Sequence, residues 1–268
     1  QGLRAIMAQV GCKFASSAMI ALKPWDISWG EYGVCFLVFL VAKLVGDPAM
    51  AFGVRLATGG SRFAVMDNPK VRRLEKLETI DCVYLAMNMV VSFTYVSHLM
   101  HFAANSFSFE ADTMTLLNTA PAFMALFLLY DLMYWAFHWG MHRPAVYAYV
   151  HKHHHRQVLP FRGILDAENE HPLEQVGGLS LLLITVRLVH MTLGVHGFAF
   201  AAFFGGYSTF NVVNHLPYDL SVKFPVGYTA AAHQMHHRDP LCNFATCTMF
   251  WDQLFGTYKP YKDLPKEQ

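Results

Sequence analysis

Fifteen histidines stand in 268 residues, and most of them fall in short clusters whose spacing suits metal ligation. His138 and His142 are separated by four positions, which on a helix places both imidazoles on one face, one turn apart. His151, His154 and His155 have the spacing HxxHH, and His233, His236 and His237 repeat it. In each such box the first residue lies on the helix face of the later pair. The adjacent pair splays, so that its two rings reach neighbouring metals. Asn211 and His215 form another i, i+4 pair, with an amide oxygen as the first possible ligand. These imidazoles exceed the three or four ligands of a zinc site, so the count suits two metals. Imidazole alone does not choose among Fe, Zn, Cu and Ni. There is no HExxH, so the general base of a zinc protease is missing.

Asp131 lies seven residues before His138 on roughly the same helix face, inside an apolar segment. A carboxylate there is costly unless paired, which predicts that it accepts an N–H from a ligand imidazole and fixes its orientation. His153, inside the second box, is expected beside the ligands or facing solvent. His98, His101, His190 and His196 are expected to be packing or interfacial residues.

The elements that must position these groups read as membrane helices. Hydrophobic residues make up 54% of the chain and charged residues 15%, where a soluble domain carries nearer a quarter charged. An apolar segment runs from about Trp29 to Val45, with Lys43 expected to snorkel to the interface. The stretch from Asp47 to Glu78, with Pro48, Pro69 and KVRRLEK, reads as an aqueous or interfacial connection. Two longer apolar segments, about Ile80–Ala104 and Met114–Trp139, are each long enough to span a hydrocarbon core of about 30 Å, and together form a hairpin. The apolar region Val176–Val213 is broken near Met191–Gly197 and predicts a second hairpin. That hairpin returns the chain to the face from which it left, as a centre shared by the flanking clusters requires. The expected fold is an all-α integral membrane protein. It has two transmembrane helical hairpins, an additional N-terminal apolar segment, and a histidine-rich helical cap on one membrane face.

Residues 1–28 read as a surface segment or the remnant of a presequence, with a processed start, and 29–268 as one domain. Five cysteines form no CxxC pair and no disulfide framework. The net charge of +1 and dispersed basic residues offer nothing to nucleic acid.

Over residues 131–258 the sequence resembles the fatty acid hydroxylase and sterol desaturase superfamily of membrane di-iron enzymes. The resemblance rests on DLMYWAFHWGMHRPAVYAYVHKHHH, on AENEHPLEQ with its HPxE element, and on HQMHHRDPLCNFATCTMFWDQLFGTY with its HxxHH, Asn-Phe and WDxxFGT. The run NHLPYDL to KFPVGY looks closest to the branch of 4-methyl sterol oxidases and sterol hydroxylases, which usually show His-Ser-Gly where this chain has His-Leu-Pro. The resemblance implies that His138, His142, His151, His154, His155, His215, His233, His236 and His237 bind two irons, with Asn211 a tenth ligand, directly or through water. It implies an O2-dependent enzyme that hydroxylates or desaturates a C–H bond of a sterol or fatty acyl lipid. The two electrons would come from a separate b-type cytochrome or ferredoxin system, since neither HPGG nor a glycine-rich nucleotide fingerprint occurs here. His171 of the HPxE element is expected to be structural, and Trp251 and Asp252 a packing anchor and a hydrogen-bond partner. An endoplasmic reticulum location is expected, with an organellar or bacterial inner membrane as alternatives. The rival readings are a non-catalytic subunit of a membrane assembly and a metal-dependent lipid hydrolase.

Overall fold

The structure is a computed structural model that describes residues 27–67, 74–222 and 227–262. The expected N-terminal surface segment and most of the KVRRLEK run lie outside the described residues.

The first helix, α1 (Trp29–Ala57), starts at a capping box in which Ser28 Oγ accepts from Glu31 N at 3.2 Å and Glu31 Oε2 accepts from Ser28 N at 2.8 Å. It does not stop near Val45, as the sequence suggests, but passes through a π turn at Ala42–Gly46 and continues to Ala57. The wider turn gives the ring of Pro48 room where an α turn would clash, and proline has no N–H to leave unpaired. Lys43 sits in that turn and faces inward. Its Nζ lies 2.7 Å from Glu168 Oε1 and 3.6 Å from Asp47 Oδ2, so the expected snorkelling is replaced by an internal ion pair.

Helices α2 (Thr79–Ser106) and α3 (Ala120–Met141) form the first hairpin. Met114–Thr119 is apolar enough to read as helix but is held out of it. Asn118 Oδ1 accepts from Thr115 N at 2.8 Å and Thr119 Oγ1 donates to Thr115 O at 2.8 Å, and α3 begins only where Pro121 occupies the first turn. After the cap segment that holds short helices α4 (Pro144–Tyr147) and α5 (Ile164–Ala167) come α6 (Pro172–Leu193) and α7 (Gly197–Val213), the arms of the second expected hairpin. α6 packs on both α2 and α3, and α7 on α3, so the consecutive arms of each hairpin sit apart with a neighbour between them. Their break lies where expected. Gly194 takes φ +70°, a conformation that penalises a Cβ, and His196 Nδ1 caps α7 by accepting from Phe198 N at 3.2 Å. His196 is therefore a buried helix cap.

α1, α2, α3 and α6 are each long and apolar enough to cross a membrane. The core between the hairpins contains Leu99, Leu126, Tyr130, Leu182, Val186 and Phe203. Val38 and Leu44 on α1 remain 62% and 68% exposed, a surface suited to lipid rather than water. The chain is thus an all-α integral membrane protein whose small two-stranded sheet, β1 (Ser221–Val222) and β2 (Tyr228–Thr229), merely leads into helix α8 (Ala230–Arg238). With the short helix α9 (Phe250–Leu254), these pieces cap the bundle at the end formed by the start of α2, the end of α3, the start of α6 and the end of α7.

Candidate metal centre

Helix α3 delivers His138 in its last turn and His142 immediately past its end. α8 carries His233, His236 and His237 behind three buried alanines, Ala230–Ala232, whose small side chains let the helix press into the cap. Gln234 fixes its height by donating to Pro160 O at 3.0 Å and Leu216 O at 3.1 Å. His154 and His155 enter on a 3-10 turn, and His215 follows the end of α7.

The nine histidines named from the sequence gather into two groups. His138, His142, His151, His155 and His236 form one, and His154, His215, His233 and His237 the other. Each adjacent pair is divided between the groups: His154 from His155, and His236 from His237. Neighbouring Nε2 atoms lie 3.0–3.4 Å apart, for example His138–His151 at 3.0 Å, His155–His236 at 3.1 Å, His215–His233 at 3.1 Å and His154–His215 at 3.4 Å. Two imidazoles bound about 2.1 Å from one metal would place their nitrogens roughly 3.0 Å apart at a right angle and about 3.4 Å apart at the tetrahedral angle.

The opposite ring nitrogens are tied outward. His138 Nδ1 donates to Phe244 O at 2.7 Å, His236 Nδ1 to Cys242 O at 2.6 Å, His237 Nδ1 to Gln157 O at 2.9 Å and His215 Nδ1 to Asn211 O at 2.9 Å. A carbonyl accepts only, so these rings carry their proton on Nδ1 and turn an Nε2 lone pair inward. Several buried lone pairs converging at this spacing repel one another unless a cation lies between them. The donor set therefore fits two metal ions.

The protonation states agree. Burial, followed by neighbouring imidazoles, pulls His142 down to about 2 and His154 to about 3, while burial pulls His215 to about 4. The unfolded imidazole titrates near 6.5, so between that value and about 4 the unfolded chain binds more protons than the folded one. The stability contributed by the neutral rings is complete above about pH 6.5 and is lost as pH falls towards 4. Metal-free protein held in chelator is predicted to melt at least about 5 °C lower at pH 5.5 than at pH 7.5. An equal or higher melting temperature at pH 5.5 contradicts neutral burial.

Asp131 departs from expectation. It is fully buried but touches no imidazole. Its Oδ1 accepts from Thr246 N at 2.9 Å and Cys247 N at 2.8 Å, and its Oδ2 from Thr248 N at 3.0 Å and Thr248 Oγ1 at 2.5 Å. Asp252 does the same one step earlier, accepting from Phe244 N, Ala245 N, the Trp135 indole and Thr257 Oγ1. Asn243, at φ +54°, bonds Ala232 O and Lys259 O. These residues clamp the loop 242–248, whose carbonyls orient His138 and His236. Asp131 thus positions ligands through the backbone because its side chain reaches the loop and not a ring. The Asn-Phe and WDxxFGT motifs belong to that same clamp.

The carboxylate that does meet a ligand is Glu174 of the HPxE element, with Oε1 2.7 Å from His151 Nδ1 and both residues buried. The motif makes a glutamate visible in the sequence, but nothing in its spacing says which histidine it serves. Glu174→Gln keeps the shape but replaces the carboxyl that faces His151 Nδ1 with an amide, and is predicted to weaken binding of the metal at the five-histidine group about 10–100-fold. Metal titration of the purified variant measures this, and unchanged affinity contradicts the pairing. His171 caps α6 by accepting from Leu173 N, and His153 faces Asp81 and Asn169 at 3.0 Å, so both stand outside the groups.

A cavity of about 40 Å³ opens beside the groups, lined by Tyr134, Glu170, Glu174, Asn211 and Thr246 together with His138, His154, His215 and His233. It has room for about three water-sized molecules. Burial pushes the Glu170 carboxyl up from the usual carboxylate range. Asn211 borders this space next to the four-histidine group, which has one imidazole fewer than its neighbour.

Fold and site define a helical membrane protein with two buried polyhistidine groups at one end of its bundle. The chain belongs to the fatty acid hydroxylase family, whose match covers residues 123–257, just over half of the 268. Among curated proteins it is 30% identical over 149 residues to methylsterol monooxygenase 1 of Rattus norvegicus, covering 49% of this chain and 44% of that one. It is 30% identical over 140 residues to a Delta(7)-sterol 5(6)-desaturase of Leptosphaeria maculans, covering 52% and 37%. A cholesterol 25-hydroxylase-like protein of Danio rerio is 27% identical over 183 residues, covering 66% and 70%. The chain thus spans less than half the length of the first two relatives. No solved structure matches it.

Proposed function

We propose that this protein is a membrane-bound di-iron oxygenase that hydroxylates or desaturates a C–H bond of a sterol-type lipid. The observation that carries the reading is the pair of adjacent, buried groups of neutral imidazoles, five and four in number, beside a cavity at the membrane end of the cap. Its relatives are named for sterol monooxygenation, desaturation and hydroxylation, which supports a sterol substrate and leaves both outcomes available.

When bound, two irons supply the activation of O2, drawing two electrons from an external donor. The chain supplies the rest. Nine imidazoles hold the metals, His151 through Glu174 and His138 and His236 through the clamped loop. Asn211 is the tenth candidate ligand, directly or through water. Tyr130, Tyr134 and Leu179 wall the cavity against bulk water, which keeps reactive species from being quenched. The electron donor is a separate b-type cytochrome or ferredoxin system, and the membrane is that of the endoplasmic reticulum.

The test is turnover in liposomes containing a 4-methyl sterol, with a chemical or protein reductant and 18O2. A sterol product that carries one 18O atom or has lost two hydrogens, formed only when O2 is present, is the expected result. Iron-loaded protein that releases a product without consuming O2 would falsify the reading in favour of a hydrolase.

A further inference from the structure

A second, larger cavity of about 380 Å³ lies between α1, α2, α6 and α7, within the range of small-molecule sites. It shares Gln175, Leu179, Tyr207 and Asn211 with the small cavity beside the histidines, so the two spaces are neighbours across one layer of side chains. Its ends differ in chemistry. One end is lined by Val34, Val96, Met100 and Leu182, and the other by Lys43, Asp47 and Glu168.

The direction follows from the helices. α1 and α2 are antiparallel, since Glu31 meets His101 while Phe39 packs on Phe93. α2 begins in the cap, where Asp81 meets His153 and Arg156. The later part of α1 therefore lies towards the histidines and Val34 lies away from them. On α7, the wall from Phe204 to Asn211 runs the same way, towards His215. Val34 and Asp47, thirteen positions apart, are separated by roughly 20 Å along the helix. The charged end of the cavity is thus the end nearest the metal centre.

That end holds one ammonium and two carboxylates. Lys43 Nζ is committed to Glu168 at 2.7 Å, while Asp47 Oδ2 lies 3.6 Å away and is buried without a hydrogen-bond partner among the described residues. A buried carboxylate oxygen in this position calls for a donor. A fatty acid would bring a third negative charge to a single ammonium. A hydroxyl can donate to Asp47 and accept from Lys43.

We propose that Lys43, Asp47 and Glu168 recognise the hydroxyl of a neutral sterol alcohol, which enters head first. The ring bearing the hydroxyl, not the side chain, then faces the histidines. The inference rests on the sterol reading above and adds the orientation and the head-group chemistry to it.

The test uses the full chain in phosphatidylcholine nanodiscs with cholesterol carrying a photoactivatable diazirine either on its ring system or at the end of its side chain. The ring probe is expected to label residues 42–47 and 164–168, and the side-chain probe residues 34–38 and 96–100. Unlabelled cholesterol should compete at least about 10-fold better than its methyl ether or palmitic acid. Asp47→Asn should reduce the preference over the ether to less than about 3-fold, since the amide keeps an acceptor but no charge. Reversed labelling, no specific labelling, or equal competition by ether or palmitate overturns the proposal. None of these readouts requires metal or O2, so their failure leaves the oxygenase reading standing. Lost turnover with labelling intact would do the opposite.

Discussion

Alanine at both His154 and His237 is predicted to lower the metal content from about two ions per chain to one or fewer, and the proposed sterol oxidation at least about 100-fold, the upper range for losing a residue that merely supports a ligand. The two residues supply half of the Nε2 donors in the four-histidine group. His215 and His233 remain, and two imidazoles are fewer than the three protein ligands that even an open catalytic site retains. Each replaced residue also has a chain neighbour, His155 and His236, in the other group, so the five-histidine site loosens as well. Elemental analysis of the variant, with circular dichroism to establish that it is folded, measures the effect. A folded double variant that keeps two tightly bound ions would show that these rings are not ligands.

Asp131→Ala has the largest expected effect on stability. The change strands three backbone N–H groups and a threonine hydroxyl in a fully buried site, and the predicted cost is about 3–5 kcal/mol. Asp131→Asn keeps one acceptor oxygen but points an NH2 at the N–H of Thr246 and Cys247 or of Thr248, so it falls between wild type and alanine. Because the loop's carbonyls orient His138 and His236, both variants should also bind metal more weakly. Denaturation in detergent micelles, with and without metal, separates the two effects. A variant with wild-type stability would contradict the clamp.

The sequence makes the ligands and the hairpins legible because both are local patterns. An i, i+3 or i, i+4 spacing is a statement about one helix or turn, and an adjacent pair such as His154–His155 splays wherever it sits. A break such as Leu193–Gly197 announces itself through glycine and a capping side chain. The supporting contacts are of another kind. Glu174 meets His151 across 23 residues, Lys43 meets Glu168 across 125, and Asp131 reaches Thr246–Thr248 across more than 110. No periodicity reports which partner lies at the end of such a span. Asp131 was legible as a costly buried carboxylate whose partner had to be strong. That the partner is backbone, and not a ring, depends on how the loop 242–248 folds back onto α3. The continuation of α1 past Pro48 was hidden for a related reason, because a π turn removes the clash on which the sequence rule depends.

Nine histidines that hold two irons would show most directly in the iron content of the purified full chain supplied with ferrous iron. About two irons per chain is the predicted result. A folded, iron-supplied protein that binds none, or that binds a single ion at full occupancy, contradicts it.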